Sequence, residues 1–335
     1  MQKSSSFSNN CLNLIRLIAA IKILFGHTVT HLKIGSIPNP VFSVMNVILG
    51  VPIFFFLSGY LIWNSIGRTK GFKTFLTKRV LRLYPELWCG VAISAITILI
   101  FYGNRIELLP FAVFLFCQST VFQFWTPGFL KDFGCGVPNG SLWTIGVMVQ
   151  AYIVIWLVYK LLHKKSVVRW IVLFVTSAAI NIVYNYLGAF VPTVAVKLLK
   201  MTFIPHLWLF LLGAFMCEHF EIVIDLLKKW WYIPFAISIL VGFIPEIGIY
   251  PVLRSSLFCV SVLGFAYKFP KLKMKVDLSY GIYIYHMVVV NILIEIGLIG
   301  SIWYQLLVLV VSAALALLSY VSFGRIYRSY KQVKG

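Results

Sequence analysis

Long apolar stretches alternate with short basic ones along nearly the whole chain. The apolar runs fall at about 11–32, 41–63, 84–102, 142–161, 169–188, 201–217, 231–249, 251–267, 278–299 and 302–323. A helix rises about 1.5 Å per residue, so crossing a hydrocarbon core of about 30 Å takes roughly 20 mostly apolar residues. The pattern predicts an all-α polytopic membrane protein of about ten transmembrane helices, forming one integral membrane domain over 1–335. An eleventh apolar stretch, 106–122, is shorter.

The basic residues between these runs give an orientation. Arg68, Lys70, Lys73, Lys78, Arg79 and Arg82 precede the third run without an intervening acid. Lys160, Lys164, Lys165 and Arg169 mark the junction of the fourth and fifth runs, and further runs are Lys228 with Lys229, then Lys268, Lys271, Lys273 and Lys275. The tail carries Arg325, Arg328, Lys331 and Lys334. With basic loops cytoplasmic, both termini are expected on the cytoplasmic side. The chain then crosses an even number of times between Arg82 and Lys160, so 106–122 is expected to be re-entrant or to lie on the outer surface. Lys197 and Lys200 run against this trend.

Composition agrees. The chain is 61% hydrophobic and 11% charged, with a mean hydropathy of +0.93, against about 25% charged in soluble domains. The net charge of +20 would suggest nucleic acid in a soluble protein. Here the charge lies in the loops and reads as a topology signal, with attraction to anionic lipid, so no nucleic-acid partner is expected. Six scattered cysteines form no CxxC pair and no metal spacing. The first apolar run contains Arg16 and Lys22 and has no small-x-small exit, so it reads as a permanent first helix and not a cleaved leader.

Ionisable side chains inside apolar runs are functional candidates, because each costs at least a few kcal/mol at mid-membrane. Arg16 and His27 lie on one face of the first helix, about three turns and roughly 16 Å apart. Arginine suits an anion and a neutral histidine takes a proton from a hydroxyl near neutral pH. The alternative is that Arg16 snorkels to headgroups and His27 bonds a neighbouring helix. His31 follows His27 by one turn, but no third ligand is evident and no metal is expected. The segment from Gly50 to Ile62 holds two helix-bending residues and a Ser58-Gly59 pair suited to close packing. Arg79 and Arg82 share one face of a helix entering the membrane, which suits polyphosphate or plain anchoring. Asn139 to Thr144 leads into a helix with Gln150 and Tyr152, and His286 lies inside the ninth run.

These segments together resemble the acyltransferase family 3 of membrane O-acyltransferases. The resemblance rests on Asn13-Leu14-Ile15-Arg16 through His27, Phe54 through Tyr60, Arg79 through Pro85, Ser141-Leu142-Trp143-Thr144 with Gln150 and Tyr152, and Ser279-Tyr280 through Tyr285-His286. One departure is Met148, where family members often carry a glutamate. The chain is similar to the short stand-alone members.

The resemblance implies transfer of an acyl group, usually acetyl, from cytoplasmic acetyl-coenzyme A to a hydroxyl of a surface polysaccharide such as the O-antigen of lipopolysaccharide. It implies a bacterial inner-membrane location and no bound cofactor, acetyl-coenzyme A being a co-substrate. His27 and Arg16 are then the expected catalytic residues, His27 acting as base or as acyl carrier. Arg79, Arg82, Tyr84 and Ser58 are expected on the donor side, and Trp143, Gln150, Tyr152 and His286 on the acceptor side. The competing reading is a transporter or flippase of lipid-linked glycans, which needs no thioester donor. A glycan polymerase usually has an outer loop larger than the stretch at about 123–140.

Overall fold

The computed structural model describes residues 7–35, 39–191, 193–244 and 248–334, without the side chains of 39, 40 and 323–334. The basic tail residues Arg325, Arg328, Lys331 and Lys334 therefore lie outside the described side chains. Among the described residues every regular element is helical.

The helices are α1 (Leu12–His31), α2 (Asn39–Val47), α3 (Gly50–Gly67), α4 (Phe72–Tyr102), α5 (Leu108–Gln118), α6 (Trp143–Leu162) and α7 (Val167–Phe190). They continue as α8 (Val194–Lys200), α9 (Leu207–Glu218), α10 (Phe220–Trp230), α11 (Tyr232–Val241), α12 (Tyr250–Lys268), α13 (Ser279–Glu295) and α14 (Trp303–Lys334). The protein is an all-α polytopic membrane protein.

The span count differs from the expected ten. Among the described residues seven helices are long and apolar enough to cross a membrane, or eight if the pair Val194–Lys200 and Ile204–Glu218, bent by 56°, is one span. The run at 231–249 yields only the 10 residues of α11, about 15 Å of helix. A turn at Gly242 ends it, which a hydropathy window does not register. The run at 278–299 yields the 17 residues of α13, closed by Gly297 at φ +75°. The 11 residues of α5 fall well short of a crossing.

The chain folds as two compact units interleaved in sequence. The first takes in Met1–Ala19, Val47–Phe72 and Val147–Asp277, the second Ala20–Asn46, Lys73–Gly146 and Leu278–Gly335. In the first unit α3 and α9 meet backbone to backbone. A Cβ added to Gly59 would lie 2.1 Å from the Phe210 carbonyl oxygen, and one on Gly213 2.0 Å from that of Phe56. Only glycine admits this approach. The Tyr60 and Tyr267 hydroxyls meet at 2.8 Å, so α3 and α12 share a buried polar contact.

In the second unit α13 is buried on nearly every side, as expected of a helix apolar all round. A Cβ on Gly281 would meet Ala316 of α14 and the Glu86 carboxylate of α4, and one on Gly90 would meet Ile284. The segment before α6 is strapped to α13. Asn291 accepts from the Cys135 amide at 2.8 Å and donates to the Pro138 carbonyl at 2.8 Å, and Glu295 accepts from the Gly134 amide at 2.6 Å. Beneath it Ile98, Tyr102, Phe111, Phe114, Leu130 and Phe133 form a small core that seats α5.

Candidate active site

The second unit brings two of the sequence candidates together. Nδ1 of His27, in the last turns of α1, lies 2.8 Å from Nε2 of His286 on α13. The rings are 5.1 Å apart between centroids and inclined by 21°. His286 is fully buried, and its Nδ1 lies 3.1 Å from the carbonyl of Ile282 one turn back. His31 adds a tilted ring contact to His27 at 5.8 Å.

The 139–144 segment fixes the register of α13 around His286. Asn139 donates to the Ile284 carbonyl at 2.9 Å, and Ser141 donates to the Tyr283 carbonyl at 3.1 Å. The Tyr283 hydroxyl donates back to the Ser141 carbonyl at 2.7 Å and lies 2.7 Å from the Thr144 hydroxyl. The Ser141 hydroxyl and carbonyl and the Thr144 hydroxyl thus engage the helix that carries the second histidine. Trp143 opens α6 and is half-buried.

The remaining second-unit candidates lie on α4. The Arg79 guanidinium is buried over the Phe75 ring at 5.5 Å, and Arg82 is half-buried one turn on. Tyr84 is buried, edge-on to Trp88 at 5.7 Å. The Tyr280 hydroxyl donates to the Leu83 carbonyl at 2.9 Å, close to Pro85 inside the helix.

In the first unit Arg16 forms an ion pair with Asp277, and Asn13 donates to the Met274 carbonyl at 3.2 Å, drawing the 274–277 loop to the start of α1. Ser58 points its hydroxyl at the Met148 sulfur, 3.6 Å away. Gln150 donates to the Met201 carbonyl at 3.1 Å and accepts from the Phe203 amide at 3.2 Å. It clasps the break between α8 and α9. Tyr152 is buried on α6.

The first unit also holds a cavity of ≈ 790 Å³ where the ends of α3, α6 and α9 meet, lined by Trp63, Arg68, Tyr159, His163, Lys164 and Glu218, among others. Glu218 organises it, accepting from the Trp63 indole at 2.7 Å and the Lys164 amide at 2.7 Å, with His163 at 3.1 Å.

Sequence reasoning missed three side chains here. Asp277 is an acid among lysines and reads as loop. Glu86 follows Pro85 and reads as the rim of a span. Tyr283 looks like one more interfacial aromatic. An acid inside or just outside an apolar run is the signal that finds the first two.

Comparison with known proteins decides the class. The family 3 model described as an acyltransferase domain matches residues 9–321. The chain belongs to this family. It is 28% identical over 346 aligned residues to Nodulation protein 10 of Rhizobium leguminosarum bv. viciae, covering 95% of this chain and 93% of that one. It is 27% identical over 187 residues to an O-acetyl transferase of Shigella phage Sf6, covering 52% of this chain and 53% of that one. The peptidoglycan O-acetyltransferase OatA of Listeria monocytogenes is 29% identical over 128 residues, 36% of this chain and 20% of that one. No solved structure matches. As a family 3 acyltransferase the protein is a membrane O-acyltransferase.

Proposed function

We propose that the enzyme moves an acetyl group from acetyl-coenzyme A on the cytoplasmic side to a hydroxyl of a cell-surface polysaccharide, such as an O-antigen. The observation that carries this reading is the His27–His286 contact, an imidazole pair inside apolar helices of an O-acyltransferase. An acceptor hydroxyl needs a base, and His27 supplies it. Its proton goes to His27 as the oxygen attacks the thioester carbonyl. The carbon–sulfur bond then breaks, and the departing thiolate takes the proton from His27.

In this proposal Arg79 and Arg82 meet the donor's phosphates, Arg16, Tyr84 and Ser58 are further donor-side residues, and Trp143, Gln150 and Tyr152 belong to the acceptor side. Relatives named for O-acetyl transfer, one of them to peptidoglycan, support acetyl as the group and a surface glycan as acceptor. The location is a bacterial inner membrane with cytoplasmic termini. In support, Phe7 lines the same cavity as Arg68 and Lys164, and Lys273 reaches the Ser8 carbonyl at 3.2 Å. The N-terminal segment thus keeps company with loops whose charge favours the cytoplasm.

Deleting the gene in its native host tests the proposal. Base-labile acetyl esters should disappear from the surface polysaccharide, return with the wild-type gene, and stay absent with His27→Ala. Unchanged acetyl content after deletion, or restoration by His27→Ala, contradicts it.

A further inference from the structure

We propose that His286 is a positioning residue that fixes the tautomer of His27, leaving Nε2 of His27 as the nitrogen that receives the acceptor's proton. The inference deepens the acyl-transfer reading above and rests on it. It follows from counting hydrogens along one chain of contacts. The Ile282 carbonyl only accepts, so Nδ1 of His286, 3.1 Å away, carries its hydrogen. A neutral imidazole has one N–H, so Nε2 of His286 presents a lone pair. That lone pair faces Nδ1 of His27 at 2.8 Å, which therefore donates. Neutral His27 then has no hydrogen on Nε2, the remaining ring nitrogen, which is left basic.

The same contacts suit the protonated state. When Nε2 of His27 takes the hydroxyl proton, its Nδ1–H still donates to His286. That Nδ1 hydrogen can also cross to His286, which then donates from Nε2 to His27 and from Nδ1 to Ile282. Neither arrangement loses a hydrogen bond, so the pair shares one added proton over two rings. His27 returns it through Nε2 to the thiolate that leaves the donor thioester. Two added protons are disfavoured, because N–H would face N–H across 2.8 Å. A carboxylate usually orients a histidine base in this way. In this chain a buried second imidazole stands in that place, its helix pinned by Asn139 and Ser141.

Nitrogen-15 NMR of histidine-labelled protein in lipid nanodiscs reads the tautomer directly, His27 being assigned as the signal lost in His27→Ala. The expected result at neutral pH is hydrogen on Nδ1 and none on Nε2 in the wild type, with both tautomers present in His286→Leu. Turnover of the thioester donor should fall about 100-fold in His286→Leu at unchanged donor KM, and stay within about 5-fold in His286→Gln. Glutamine accepts from His27 with its carbonyl and donates to Ile282 with its amide, so it restores both contacts. Hydrogen on Nε2 of wild-type His27 overturns the inference, whatever the activity. So does equal loss of turnover in both variants with the His27 tautomer unchanged. Full activity in His27→Ala would defeat His27 as the base and overturn the inference with it, whereas no donor turnover in the wild type would defeat the acyl-transfer reading and leave the tautomer result standing.

Discussion

Arg16 is paired with Asp277, which comes just before the start of α13, the helix that carries His286. The side chains are only 14% and 20% exposed, so this pair resembles a buried ion pair more than a surface one. Removing one partner leaves a poorly solvated charge. Asp277→Asn should lower stability by about 1–3 kcal/mol, read as a drop in Tm of the purified protein in detergent. An unchanged Tm would show that the pair contributes nothing to folding.

Gln150 gives a second test, because two roles predict different readouts. Its amide satisfies backbone groups of Met201 and Phe203 at the break between α8 and α9. Gln150→Leu strands both and should cost about 1–3 kcal/mol, seen in thermal unfolding. A residue that only contacts the acceptor would raise the acceptor KM and leave Tm unchanged.

The glycine contacts predict a graded series. Gly59→Ala and Gly213→Ala push a methyl into the opposing backbone, at 2.1 Å and 2.0 Å. Each should cost about 1–3 kcal/mol or more and reduce the yield of monodisperse protein. Gly26→Ala meets nothing within 4 Å and should be neutral or slightly stabilising. Equal yields for all three would remove close α3–α9 packing from the account.

The orientation is checked by labelling introduced cysteines with a membrane-impermeant thiol reagent. Lys70→Cys should react only after the cells are opened, and Trp125→Cys should react in intact spheroplasts. The reverse pattern would invert the topology.

What the sequence made legible follows from how each signal is encoded. A charge or imidazole in an apolar run is visible at once, so Arg16, His27 and His286 stood out. Ser58-Gly59 announced close packing, yet its partner Phe210 lies far along the chain and no local pattern points to it. Hydropathy found most helices and gave about ten runs, where seven or eight helices among the described residues are long and apolar enough to span. It averages over turns such as those at Gly242 and Gly297, which cut α11 and α13 short. The contact between His27 and His286 depends on α1 and α13 packing within one unit, a tertiary fact. The work of Asn139, Ser141 and Tyr283 around α13 was equally hidden, because hydrogen bonds to mid-helix carbonyls leave no periodicity.

His27 is the residue on which the proposed acyl transfer depends. The most direct test supplies radiolabelled acetyl-coenzyme A to the purified protein in nanodiscs, with glycan from the native host. Release of free coenzyme A and label on the glycan are compared between wild type and His27→Ala. Labelled glycan is expected with the wild type and a loss of about 100-fold or more in His27→Ala, at equal yield and Tm. Labelling of the glycan by His27→Ala at the wild-type rate would contradict it.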